Sequence, residues 1–259
     1  MNVVLPISAL VVKEMYRRKD FYVVFVLTAV ITVLMGSVSF FNDASMARYL
    51  KELCLFLVWV SLLFISVGAA ARQLPAEREQ RTIFPLLAKP VSRWQLIFGK
   101  FLGCWWSAGL ALLVFYVFFA VLSGTREHHW PLGSYLQAAT LHWVLLGVII
   151  ALVMLGSLVF TAPSSNATIC VVVIVGMLFL ARYLNRIALQ QPEPLSSLLY
   201  ALYFILPHLE FFDVRDLVIH NRPPVPWWAW GVASAYGLAY IAFFLGAAWL
   251  AFRKKRLST

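Results

Sequence analysis

Five histidines, three cysteines and one Gly-Lys pair are where chemistry would first be sought in this 259-residue chain. His128 and His129 set two imidazoles side by side, but no third ligand stands at a spacing that would close a metal site. His208 and Glu210 do not make the H-E-x-x-H helix pair of a zinc protease. Cys54, Cys104 and Cys170 are scattered, each in or beside an apolar run, where a thiol serves as a small core residue rather than as half of a disulfide. Gly99-Lys100 would end a phosphate-cradling G-x-x-x-x-G-K-[ST] loop only with glycine at 94 and a hydroxyl at 101; Trp94 and Phe101 stand there instead. No catalytic residue, metal ligand or bound cofactor is expected in this chain.

The chemistry its residues do suit is docking, and it centres on residues 72–100. Six basic residues (Arg72, Arg78, Arg81, Lys89, Arg93, Lys100) and two acidic ones (Glu77, Glu79) stand here between two apolar runs. Ile83, Phe84, Leu86 and Leu87 give the stretch an apolar side ahead of Pro90. That pattern predicts a short amphipathic helix, a proline stop, and a second short helix feeding the next run. A solvated loop has no use for an apolar face. An element seated on a partner protein does.

The frame around this stretch follows from composition. Hydrophobic residues make up 62% and charged residues 12% of the chain, against about 25% charged in ordinary soluble domains. Lipid is then the solvent for most of the chain, which leaves helices or a closed barrel. The apolar runs are about 20 residues long without strand-like alternation, so the expected fold is an all-α membrane protein, one domain over 1–259. Six spans are predicted, at 21–41, 53–71, 101–123, 135–160, 167–184 and 227–252. Ahead of them, residues 1–20 carry Ile7, Leu10, Val11 and Met15 at helical spacing beside Lys13, Arg17, Arg18 and Lys19. This suits a helix lying in the interface against anionic headgroups, or a plain basic flank of the first span. A short polar turn with Asp43, Arg48, Lys51 and Glu52 joins the first two spans. Gly99 and Gly103, four apart at the head of the third, admit another helix at close range. Within the long polar interval 185–226, the apolar run 195–206 is too short to cross, which predicts a re-entrant or interfacial helical loop ended by Pro207.

Six spans put both termini on one side, and charge says which. With the N-terminal segment, residues 72–100 and the tail assigned to the cytoplasm, 14 of the 21 Lys and Arg lie there, and the net charge of +10 with them. The basic excess is thus a matter of topology in a lipid bilayer, with no basic domain set apart for nucleic acid. An enzyme or carrier working within the membrane would need ionisable groups inside its spans. His142 is the clearest, and its plainer reading is a packing residue near an outer end.

The stretch RTIFPLLAKPVSRWQLIFGKFLG, between a second and a third span, resembles the cytoplasmic element of ABC exporter permeases of the second type. Glu77 and Glu79, Thr82, Leu86-Leu87, Pro90-Val91-Ser92-Arg93 and Gly99-Lys100 follow that pattern in order; Arg81 stands where many members carry glycine. The resemblance implies a type V exporter-like fold in the cytoplasmic (inner) membrane, with two permease subunits, identical or paralogous, paired about a translocation path. It implies a separate ABC ATPase subunit that binds ATP and Mg. That subunit would be seated on a coupling helix built from Glu77, Glu79, Arg81, Thr82, Ile83, Leu86, Leu87, Pro90 and Arg93. Spans two and five would line the path with Phe56, Trp59, Phe64, Val173 and Met177, an apolar set that suits a lipid-like or amphipathic cargo. Pro207, Glu210 and Phe211 would sit in an outer gate. The same frame would serve a subunit that transmits force to a periplasmic partner, and a self-contained intramembrane enzyme or secondary transporter is the other reading.

Overall fold

The computed structural model describes residues 3–37, 43–75, 92–128, 130–160 and 162–254. Among these every regular element is helical: α1 (Val4–Arg17), α2 (Lys19–Ser37), α3 (Asp43–Gln73), α4 (Arg93–Glu127), α5 (Leu132–Val159), α6 (Pro163–Ala188), α7 (Leu195–Ile205), a 3-10 turn (Leu209–Phe212), α8 (Arg215–Ile219) and α9 (Trp227–Lys254). Among the described residues five stretches are long and apolar enough to cross a bilayer: Arg48–Gln73, Arg93–Glu127, Leu132–Val159, Leu195–Ile219 and Trp227–Arg253. α2 and α6 contribute the shorter apolar segments Tyr22–Leu34 and Pro163–Phe179. The stretch Leu195–Ile219 is not one rod. α7 stops at Ile205 and Pro207 follows, so its 11 residues reach about 16 Å, half the roughly 30 Å of a hydrocarbon core.

Two local expectations are corrected. Asp43 to Glu52 is not a polar turn but the first three turns of α3, and Lys51 within it is buried. No separate short helix feeds the third run, because α4 is continuous from Arg93 to Glu127. Its start is fixed chemically: the Ser92 hydroxyl accepts from the Gln95 amide at 3.2 Å, and the Ser92 amide donates to Gln95 Oε1 at 3.0 Å. This capping box satisfies two amide donors that the first turn would otherwise orphan. At the other end His128, at φ 52°, closes α4 in a left-handed cap with its amide on the Gly124 carbonyl.

α5 is the central helix, packed against α3, α4, α6 and α9. It is locked to α4 where Trp105 and Trp143 stack at 4.7 Å and each indole N–H donates to the other's backbone carbonyl, at 2.9 and 3.1 Å. Side-chain amides and hydroxyls fasten other crossings: Asn166 of α6 donates to the Val153 carbonyl at 3.1 Å, and Thr28 of α2 meets Ser61 of α3 at 2.9 Å. In a lipid solvent such pairs hold helices together where apolar contact with a neighbour gains little over contact with acyl chains.

Candidate functional site

Of the expected ATPase-coupling residues, Glu77, Glu79, Arg81, Thr82, Ile83, Leu86, Leu87 and Pro90 lie outside the described residues. Their anchorage is visible. The head of α4 carries three fastenings within about three turns. Gly99 and Gly103 receive α1: a Cβ at Gly103 would stand 2.5 Å from the Val11 Cβ and 2.9 Å from the Ser8 carbonyl, and one at Gly99 would meet Ile7 at 3.0 Å. The glycine spacing therefore does what it predicts. Lys100, 3% exposed, donates Nζ–H to the Gln73 carbonyl at the end of α3 at 2.6 Å. Arg93, the one expected coupling residue among the described ones, donates Nη1–H to the Phe252 carbonyl at 2.6 Å and to that of Arg253 at 3.2 Å, at the end of α9.

At the opposite end, the segment after Pro207 is tied down by residues that no local pattern marks. Lys51, 1% exposed, reaches both Glu127 carboxylate oxygens at 2.8 Å, Asn221 Oδ1 at 3.0 Å and the Val218 carbonyl at 3.4 Å. Asn221, held at φ 48°, donates in turn to Glu127 at 3.3 Å. Two turns further along α3, Arg215 lies over the Trp59 ring at 5.1 Å and forms a two-pronged pair with Asp213 at 2.7 and 2.8 Å. Lys51 and Trp59 share a face of α3 with the buried Leu55 between them, so one stripe receives α8 and its flanks. His142 is buried against Tyr116, whose hydroxyl is 3.5 Å from Nδ1. Among the described residues no three His, Cys, Asp or Glu side chains gather as a metal site.

The three gate candidates are brought close but are not alike. Pro207 is buried, Glu210 is half-buried in the 3-10 turn, and Phe211 is exposed and stacked on His208 at 5.4 Å. His208 meets the Tyr236 hydroxyl through its own amide at 3.0 Å, pinning the turn to α9. The path candidates divide by burial. α3 and α6 pack on one another; Met177 is buried, Trp59 is half-buried under Arg215, and Phe56, Phe64 and Val173 are exposed on the outside of the single chain.

A family model described as ABC-2 family transporter protein matches residues 8–257, which takes in the anchored head of α4, the segment before it and every described helix except the first turn of α1. The chain belongs to the ABC-2 transporter family. No curated protein matches it. As an ABC-2 family member it is a multi-pass membrane protein and the permease component of an ABC transporter, in a family whose permeases work with an ABC ATPase subunit and are generally non-enzymatic.

Proposed function

We propose that this ABC-2 permease crosses the cytoplasmic membrane six times, through α2, α3, α4, α5, α6 and α9, with both termini in the cytoplasm and the broken stretch Leu195–Ile219 on the outer side. It pairs with a second permease subunit and receives its ATPase on residues 76–91. Ile83, Leu86 and Leu87 fill an apolar groove there, Glu77, Glu79 and Arg81 set register, and Thr82 and Pro90 bound the helix. ATP and Mg are held by the ATPase; its closure on ATP shifts the paired permeases between inward-open and outward-open states. The exposed apolar side chains Phe56, Phe64 and Val173 face the second subunit across the path, which suits a lipid-like or amphipathic cargo.

The observation that carries this reading is the family match over residues 8–257, which includes the charged segment between α3 and α4. Burial of Lys51 and Lys100 favours it over a carrier or intramembrane enzyme, because both lysines are engaged as fasteners between helices and not presented to a path. The test is a mild-detergent pull-down of the tagged protein from its own membranes, beside a Glu79→Arg/Leu87→Asp variant, with ATP hydrolysis measured on both. Anchor residues of this kind cost about 2 kcal/mol or more when lost, so the variant should lose an ATPase that the wild type retains. Intact wild-type protein with no ATPase attached refutes the reading.

A further inference from the structure

Residues 76–91 depart from the end of α3 and enter α4 at its capped first turn. Both attachment points are gripped by cations of α4. Lys100 donates to the Gln73 backbone carbonyl at 2.6 Å and lies 3.4 Å from Gln73 Oε1, so the last residue of α3 is bound to the second turn beyond the head of α4. Arg93 grips the last turn of α9, on the Phe252 and Arg253 carbonyls, with its guanidinium 5.2 Å from the centre of the Phe252 ring. Every backbone acceptor here lies at a helix C-terminus, where carbonyls lack intrahelical donors and the helix dipole favours a cation. Charge-assisted bonds of this length are about twice as strong as neutral ones. At 3% exposure the Lys100 ammonium cannot exchange these partners for bulk water, so its hold is lasting.

The two cations do different work. α3 and α4 are both covalently continuous with residues 76–91, and Lys100 keeps those two ends from splaying. α9 does not adjoin the segment in sequence, its Arg253 lying 160 residues beyond Arg93. Yet α9 packs extensively along α5, the central helix. We propose that Arg93 is the positioning residue that carries movement of the coupling segment into the last span, while Lys100 holds the segment's two ends together so that they move as one body. This rests on the reading that the ATPase seats on residues 76–91. Arg93 would then face the permease itself, relaying a displacement that the ATPase applies elsewhere on the segment.

Hydrogen exchange read by mass spectrometry on the native permease–ATPase complex, with and without ATP, tests the assignment. In the wild type, ATP should alter exchange around the ends of α3 and α4 and in the last turns of α9. Arg93→Gln should keep the ATPase bound and keep the response at α3 and α4, while the ATP-dependent change in α9 is lost; Arg93→Lys, which can still reach one carbonyl, should recover part of it. A purely structural Arg93 would instead raise α9 exchange equally with and without ATP. That result, or a wild-type response of α9 in Arg93→Gln, overturns the proposal. Lys100→Met, if it folds, should make Gln73 and Leu74 exchange independently of the head of α4. A wild-type complex that holds its ATPase but shows no ATP-dependent change anywhere in the permease overturns this relay alone. A permease that retains no ATPase refutes the coupling reading on which it rests.

Discussion

A lysine at 1% exposure in a chain solvated largely by lipid is costly unless its partners are close and complete. Lys51 has both: two carboxylate oxygens, an amide oxygen and a carbonyl surround its ammonium. Removing one member of such a buried pair costs about 3–5 kcal/mol, whereas replacing both by uncharged groups of similar size is often close to neutral. Lys51→Met should therefore lower the unfolding midpoint in mild detergent sharply, because Glu127 is left charged at the joint. Lys51→Met/Glu127→Gln should stand nearer the wild type than the sum of the single changes, a positive coupling on the order of 0.5–3 kcal/mol. Simple additivity would show that the two side chains do not act on each other. Nothing near Lys51 in sequence distinguishes it from a solvated residue. Its partners stand 76 and 170 positions away, and neighbours Arg48 and Glu52 make the stretch read as a polar turn. The same blindness hid Lys100, whose burial depends on where α3 ends.

Elements are more legible than residues because lipid imposes long, uniformly apolar helices whose runs can be counted directly. The run 135–160 and the Trp-marked start of the last helix both match observed elements closely. Pro207 likewise marks where α7 has ended. What runs and charges do not disclose is helical continuation through polar residues, which is why α3 and α4 are longer than their apolar parts. Spacing of small residues was informative: Gly99 and Gly103 seat α1 directly. Gly103→Ala would place a methyl 2.5 Å from Val11 and 2.9 Å from a backbone oxygen of Ser8, so α1 must back away as a unit. Overpacking of this kind costs about 1–3 kcal/mol. Gly68→Ala is the matched control, since nothing lies within 4 Å of a Cβ there, and it should hold or slightly raise the unfolding midpoint. Equal effects of the two substitutions would mean that α1 is not held by close approach at Gly103.

For the molecule as a whole, the apolar runs and the charge asymmetry both bear on one quantity, the side of the membrane on which each end lies. The head of α4, the last turn of α9 and α1 come together at one end, through Arg93, Gly99 and Gly103. The Lys51–Glu127–Asn221 joint gathers the opposite ends of α3 and α4 with the segment after α8. Fourteen of the 21 Lys and Arg fall in segments assigned to the first end, and juxtamembrane lysine and arginine favour the cytoplasm. Arg222→Cys and Lys13→Cys, both at exposed positions, separate the two orientations. The native thiols Cys54, Cys104 and Cys170 are all buried, so background labelling by a membrane-impermeant maleimide should be low without removing them. In intact cells the cysteine at 222 should label at once, and the one at 13 only after the membrane is permeabilised. The reverse order would invert the molecule and place residues 76–91 outside, beyond reach of any ATPase. Labelling of both in intact cells would put the two ends on the same side and refute the proposed odd number of crossings between residues 13 and 222.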